Sequence, residues 1–138
     1  MERWIASILA LCMILCAVPT VVFAEKTAAA SGTWGDNLNW TLAEDGTLTI
    51  SGEGEMADAL YSDYPWYEFK SDVKTVVIGS GVTYVSQMAF REYENLTGAV
   101  LGEDVTSIGA DAFAHCTALA DITIPDGLQI FGSGCLRA

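Results

Sequence analysis

The sequence predicts an α/β repeat solenoid, in which parallel strands alternate with short helical turns, preceded by a β-hairpin that caps its N-terminal end. Two observations support this prediction. The phrase "VTYVSQMAFREYENL", which starts at Val82, recurs as "VTSIGADAFAHCTAL", which starts at Val105, and this sets a period of 23 along the chain. An Asp-Gly pair separates two short strand-like runs upstream of the repeats, and this pair is a strong hairpin signal. A fixed period of this length is typical of stacked units, because one unit cannot bury its apolar face alone.

Residues 1–24 have the pattern of a cleaved secretory signal. A nearly continuous apolar run ends in Val22-Phe23-Ala24, which places small residues at the two positions that a signal peptidase reads. The alternative is an uncleaved signal anchor, since the run is long enough to span a bilayer. Pro19 and the Val-x-Ala ending favour cleavage. We therefore expect a mature chain that begins at Glu25 and is secreted or held at the cell surface.

The mature chain is strongly acidic. Without residues 1–24 it has 17 Asp and Glu against 5 Lys and Arg. This charge repels phosphate backbones and anionic lipids, so we expect no nucleic-acid partner and no membrane insertion after signal cleavage. Calcium binding at 51–56 or at Glu103-Asp104 is the alternative, but neither stretch has the alternating spacing of a calcium loop. Solubility explains the acidity more simply, and we predict neither a metal site nor a cofactor.

Residues 25–72 are predicted to form a β-rich cap followed by an aromatic segment. The runs "LNWTL" and "TLTISG" flank Asp45-Gly46 and read as the two strands of a hairpin. Such a hairpin would cover the first apolar turn of the repeats.

The aromatic segment is "YSDYPWYEF", residues 61–69, and it has two interpretations. Exposed aromatic side chains dominate binding hot spots, which makes four of its residues candidates for ligand contact. These candidates are Tyr61, Tyr64, Trp66 and Tyr67. In the alternative, Trp66 and Phe69 pack the cap onto the first repeat and Pro65 turns the chain. We favour the packing interpretation, because the end of a solenoid must be covered.

Residues 73–138 contain three aligned repeats, at 73–95, 96–118 and 119–138, of which the last is truncated. Each begins with a run of the type L-x-x-I-x-I, which alternates as a half-buried strand should. An Ala-Phe pair then lies on a predicted short helical turn. The columns that stay apolar in all copies define the predicted core: Val76, Ile78, Val85, Phe90, Leu96, Leu101, Ile108, Phe113, Leu119, Ile122 and Ile124.

The repeats resemble a known family. The pattern L-x-x-I-x-I-P-x-x-V-T-x-I-G-x-x-A-F-x-x-C-x-x-L, most complete between Leu96 and Pro125, is similar to the BspA-type leucine-rich repeat of secreted and surface proteins of bacteria. Residues 31–56 and 64–69 resemble the segment that often precedes such repeats. The resemblance implies a leucine-rich-repeat-like fold and a role in recognition or adhesion.

The sequence offers no catalytic constellation. His115 is the single histidine, in a variable column of the repeat, and we interpret it as a surface residue beside Glu92. Cys116 and Cys135 are separated by less than one full period and so do not occupy stacked positions, and a disulfide between them is not expected. A hydrolase triad or a histidine-rich metal site lacks its partners. We therefore predict a protein that is not an enzyme.

Two functions remain open on the sequence alone. The first is a secreted or cell-surface module that binds an extracellular protein or glycan, because repeat solenoids present extended faces to their partners. The second is a structural N-terminal fragment or spacer of a larger surface protein or enzyme. The third repeat stops at Ala138 without a polar closing segment. We therefore also expect self-association through an uncapped C-terminal end.

Overall fold

A computed structural model describes residues 28–136, which contain ten short strands. The expected signal sequence at residues 1–24 lies outside the described residues. Within them, no helix is long and apolar enough to cross a membrane. The strands are β1 Ala28–Trp34, β2 Leu38–Ala43, β3 Thr47–Gly52, β4 Gly54–Glu55, β5 Thr75–Ile78, β6 Val82–Val85, β7 Gly98–Val100, β8 Ser107–Ile108, β9 Asp121–Thr123 and β10 Ile130–Phe131.

The strands form two sheets. The first has the order β1-β2-β3-β5-β7-β9, and the second has the order β4-β6-β8-β10. The β1–β2 and β2–β3 pairs are antiparallel, and every other pair in either sheet is parallel. Ala99 pairs with Val76 on one side and with Ile122 on the other, so equivalent residues of successive repeats lie side by side. The 23-residue period of the sequence therefore sets which residues of neighbouring strands pair in the sheet.

The first sheet has an antiparallel part, which begins at β1, and a parallel part, which ends at β9. Strand β3 lies where the two parts join. It is antiparallel to β2 on one side and parallel to β5 on the other, where Leu48 pairs with Val76. Strand β4 likewise pairs with β6. Residues 47–72, part of the expected cap region, thus repeat the order strand, strand and turn. The spacing from Leu48 to Val76 is longer than the period of the later repeats, which hides this unit from a search at a fixed period.

The core lies between the two sheets. Eight residues from the predicted core columns are at most 4% exposed, namely Val76, Ile78, Val85, Phe90, Leu96, Leu101, Ile108 and Phe113. Leu119 and Ile122 are partly buried. Ile124 is 38% exposed, so its assignment to the core is wrong in this structure. The reason is positional: its equivalent Leu101 is covered by the third repeat, and no described residue covers the third repeat in turn.

Aromatic rings stack from one repeat to the next. The ring centroids of Trp66 and Phe90 lie 5.9 Å apart, and those of Phe90 and Phe113 lie 5.2 Å apart. The interplanar angle is 21° in both pairs. Offset stacking of this kind contributes about 0.5–1.5 kcal/mol for each pair beyond the apolar area that it buries. The Trp66 Nε1–H also donates to the Ala89 carbonyl oxygen at 2.9 Å. We call this run of three rings the aromatic column.

The segments that carry the Ala-Phe pairs are turns, not the predicted helical turns. Their amides bond across repeats: Phe90 N–H donates to Ala112 O, and Phe113 N–H donates to Cys135 O, both at 2.8 Å. A helix would use these donors within its own turn. The backbone reaches this arrangement by adopting positive φ at four residues other than glycine, Met88, Glu92, Asp111 and His115. Among the described residues, 3-10 helices occur at Tyr61–Asp63 and Tyr67–Phe69.

Both cysteines of the described chain are buried and free. The Cys116 thiol donates to the Phe90 carbonyl oxygen at 3.1 Å, which ties the second repeat to the first. Burial raises the pKa of the Cys116 thiol to about 11. The thiol is therefore protonated at neutral pH and acts as a small apolar side chain with one hydrogen bond.

We expect Phe113→Ala to lower the free energy of unfolding by about 3–5 kcal/mol, because the ring is buried between repeats and its removal leaves a cavity. Urea unfolding measures the change. Val100→Ala is the matched control, since Val100 is 43% exposed on the outer face of the same repeat. Equal midpoints for the parent and the Phe113 variant would contradict the assigned register.

Candidate binding surface

The four aromatic candidates divide into a buried pair and a partly exposed pair. Trp66 is fully buried and Tyr64 is 2% exposed, whereas Tyr61 and Tyr67 are half-buried. The structure therefore removes Tyr64 and Trp66 from the candidate ligand contacts, because a ligand at the surface cannot reach them. Both side chains point inward and belong to the core that joins the N-terminal strands to the repeats.

Hydrogen bonds fix the buried pair. The Tyr64 hydroxyl donates to the Gln87 carbonyl oxygen at 2.6 Å, lies 2.9 Å from the Ser86 hydroxyl, and accepts from the Ala59 N–H at 3.1 Å. Burial raises the pKa of Tyr64, so the hydroxyl keeps its proton at neutral pH. Trp34 packs on Tyr64 with ring centroids 5.1 Å apart. These contacts of the buried pair fix the segment that carries Tyr61 and Tyr67 to the core.

A second anchor lies just before the partly exposed pair. The Asp58 carboxylate accepts from the Tyr84 hydroxyl at 2.9 Å and from the Gln87 N–H at 3.1 Å. Burial and the neighbouring Asp58 carboxylate raise the pKa of Tyr84 to about 12. The start of the aromatic segment is therefore tied to the first repeat of the parallel stack.

The accessible residues form a cluster that we call the aromatic patch: Leu60, Tyr61, Tyr67, Lys70 and Arg91. The rings of Tyr61 and Tyr67 meet edge to face, with centroids 5.5 Å apart. Lys70 Nζ lies 4.7 Å from the centre of the Tyr67 ring, and Arg91 Cζ lies 5.5 Å from the centre of the Tyr61 ring. Leu60 adds a large apolar side chain that is 61% exposed.

The patch contains two of the three Lys and Arg residues in the described chain, against 16 Asp and Glu. Glu92 lies between the two, 3.9 Å from Lys70 and 3.6 Å from Arg91. Arg91 also lies 3.9 Å from Asp111 of the next repeat. Exposed pairs of this kind contribute little to stability, at most about 1 kcal/mol each. Their effect is to hold the cations over the rings and to balance charge within the patch.

Two of the residue types in the patch are ones that protein interfaces favour. Tyrosine and arginine are enriched at the centres of protein interfaces, where they contribute much of the binding energy. Cation–π contacts restrict the motion of both tyrosines, so less side-chain entropy is lost when a partner binds. No residue of the patch forms a nucleophile and base pair. Among residues 28–136, no group of His, Cys, Asp and Glu could hold a metal ion.

Sequence reasoning identified Tyr61 and Tyr67 but missed Leu60, Lys70 and Arg91. The missing signal was the alignment of Trp66 with Phe90, which stack on each other. That alignment places Arg91, which follows Phe90, next to the aromatic segment, where its Cζ lies 5.5 Å from the centre of the Tyr61 ring. His115, the single histidine, is half-buried and lies at one of the positive-φ turn positions.

Comparison with known proteins finds a matching family model and similar solved structures. A family model described as "BspA type Leucine rich repeat region (6 copies)" matches residues 62–138. The structure is similar to that of a leucine-rich repeat protein from Eubacterium ventriosum ATCC 27560, with 34% sequence identity and a TM-score of 0.69. That match covers 75% of this chain and 28% of the other chain. No curated protein matches the sequence.

A second structure is a leucine-rich cell surface protein from Faecalibacterium prausnitzii A2-165, with 22% identity and a TM-score of 0.45. That match covers 78% of this chain and 34% of the other. This likeness is too low to add to the fold assignment. The chain spans about a third or less of the length of each of these two structures.

We expect Trp66→Ala and Tyr67→Ala to lower the free energy of unfolding by different amounts, because Trp66 is buried in the core and Tyr67 lies at the surface. Removing the buried indole should cost about 3–5 kcal/mol in the free energy of unfolding. Removing Tyr67 should cost about 1 kcal/mol, mainly through its ring contact with Tyr61. Chemical denaturation of the two variants beside the parent measures both values. A Tyr67 variant that unfolds as easily as the Trp66 variant would show that Tyr67 belongs to the core.

Proposed function

The chain belongs to the BspA-type leucine-rich repeat family, and from this premise we propose that it is a secreted or cell-surface recognition module without catalytic activity. In this proposal it mediates adhesion or recognition through the aromatic patch, and the partner is an extracellular protein or glycan. The observation that carries the proposal is the accessibility of Leu60, Tyr61 and Tyr67 together on a rigid base.

The geometry of the patch favours a protein partner over a sugar ring. An aromatic side chain that stacks on a sugar offers a free ring face, but here Lys70 lies over Tyr67 and Arg91 lies over Tyr61. On each ring, a sugar that stacks on the face beside the cation would have to displace that cation. Lys70 Nζ also donates to the Tyr67 hydroxyl at 3.3 Å, which holds the cation at this ring. The exposed Leu60 side chain adds an apolar contact of the kind that a protein surface makes.

The N-terminal strands have a supporting role in this proposal. Strands β1 to β3 close the N-terminal side of a solenoid, and they hold the aromatic patch against its first turns. Trp34 and Trp40 support this role, since their rings lie 6.1 Å and 6.3 Å from that of the buried Trp66. The same strands continue the first sheet through β3, so the cap and the solenoid share one hydrogen-bonded ladder.

A second candidate function is a structural N-terminal part of a larger surface protein or enzyme. The observation that favours it is the length of the similar Eubacterium ventriosum protein, of which this chain covers 28%. Sequencing the transcript beyond codon 138 separates the two. An open frame that continues into an anchoring or catalytic region supports the second candidate.

We expect the double variant Tyr61→Ser, Tyr67→Ser to bind an extracellular partner at least about tenfold more weakly than the parent. Screening a panel of purified extracellular proteins and soluble glycans by surface plasmon resonance supplies the ligand. Thr123→Ser is the matched control, because Thr123 is exposed on the outer face of the first sheet, away from the patch. Equal binding by parent and double variant would exclude the patch as the contact surface.

A further inference from the structure

The aromatic patch lies in acidic surroundings. The segments that carry it, residues 60–70 and 91–95, contain four Asp and Glu but only two Lys and Arg. Both cations already have a carboxylate beside them, because Glu92 lies 3.9 Å from Lys70 and 3.6 Å from Arg91. Arg91 also lies 3.9 Å from a carboxylate of the next repeat. A partner at the patch therefore does not meet these two cations as free charges.

The other three acids of these segments have no cation beside them. They are Asp63, Glu68 and Glu94, and all three are exposed. Among the described residues, no Lys or Arg nitrogen lies within 4 Å of their carboxylates. Asp63 shares a 3-10 helix with Tyr61, and Glu68 shares one with Tyr67. Uncompensated negative charge thus accompanies both accessible rings.

A small polar pocket adjoins the patch on the side of Glu94. It has a volume of about 100 Å³ and is lined by Lys70, Ser71, Glu92, Glu94 and Asn95. Lys70 belongs to both the pocket and the patch. The Asn95 side-chain amide donates to the Ser71 carbonyl oxygen at 2.8 Å, which links two walls of the pocket. A water molecule occupies about 30 Å³ in the liquid, so the pocket has room for the ammonium or guanidinium head of one side chain.

The pocket favours a positive head group over a negative one. Two carboxylates against one ammonium give its lining a net negative charge. The ammonium of Lys70 is already held, by Glu92 at 3.9 Å and by the Tyr67 hydroxyl at 3.3 Å. An anion would therefore meet the repulsion of two carboxylates and no free cation. A cation would find the Glu94 carboxylate, which has no ion pair among the described residues.

We propose that the partner of the aromatic patch is a basic protein surface, in which a Lys or Arg side chain enters this pocket. A neighbouring apolar side chain of the partner then packs on Leu60, Tyr61 and Tyr67. This inference rests on the recognition function proposed above and adds the chemistry of the partner to it. The head group pairs with Glu94, while the aliphatic stem of the same side chain covers apolar surface at the edge of the pocket.

The charge of the whole chain acts in the same direction. Its formal net charge is −12, so it attracts a basic partner before contact and repels an acidic one. Salt screens this attraction, because the Debye length falls from about 30 Å at 0.01 M to about 10 Å at 0.1 M. The association rate should therefore fall as the salt concentration rises. An acidic partner would show the opposite change.

Selection from a random peptide library displayed on phage tests the proposal. The whole chain is the target, and the double variant Tyr61→Ser, Tyr67→Ser is used to remove peptides that do not need the patch. The double variant has the same net charge as the parent, so it also removes peptides that bind only because they are basic. We expect the remaining peptides to contain Lys or Arg beside an apolar residue, and to associate more slowly in higher salt.

Glu94→Gln removes the charge from the pocket and keeps the shape of the side chain. It should weaken the binding of a selected peptide by about three- to fivefold, the upper range for an exposed ion pair. This loss should disappear when the basic residue of the peptide is replaced by Gln. Glu103→Gln is the matched control, because Glu103 is exposed between β7 and β8 and belongs neither to the patch nor to the pocket. It changes the net charge equally and should leave the affinity unchanged.

Three results overturn the inference and leave the recognition function in place. The first is a set of selected peptides that need the patch but lack Lys and Arg. The second is an equal loss of affinity in the Glu94 and Glu103 variants, and the third is a Glu94 effect that persists after the basic residue of the peptide is replaced. A library that yields no peptide dependent on Tyr61 and Tyr67 overturns both the inference and the recognition function.

Discussion

The contact between one repeat and the next is the interaction on which the rest of the structure depends. A single repeat has two short strands and a turn, and it encloses too little apolar surface to be stable by itself. Backbone amides of the turns bond to carbonyl groups of the following repeat, as Phe90 does to Ala112. The stacked rings of Trp66, Phe90 and Phe113 run along the same direction. Backbone and side chains therefore impose the same register.

The aromatic patch is a consequence of that register. Trp66 occupies the first place in the aromatic column and is buried, while Tyr67, the next residue, is half-buried. Arg91 follows Phe90 in the same way, and its Cζ lies 5.5 Å from the centre of the Tyr61 ring. The patch is anchored on the stack beneath it, and in the proposed recognition role this rigidity reduces the entropy cost of binding.

The sequence predicted the repeats well where their spacing is constant and poorly where it is not. Apolar columns at a fixed period located most of the core, because parallel strands in register place equivalent side chains together. The unit formed by β3, β4 and the aromatic segment was not recognised, since its spacing is longer. Helical turns were expected around the Ala-Phe pairs, but cross-repeat hydrogen bonds and positive φ at Met88 and Asp111 give a different backbone. The inward direction of Tyr64 depends on its bond to Gln87, which no pattern of residue types reveals.

Amide hydrogen exchange at the turn positions tests most directly whether the turn contacts, together with the sheet bonds, hold successive repeats together. The N–H groups of Phe90, Glu92 and Phe113 donate to the following repeat, each at 2.8 Å. If this ladder is the basis of stability, these amides should exchange only through global unfolding, with the same free energy as the strand amide of Val76. Exchange of the turn amides at much lower free energy, while Val76 stays protected, would show that the sheets alone hold the repeats and would contradict the account.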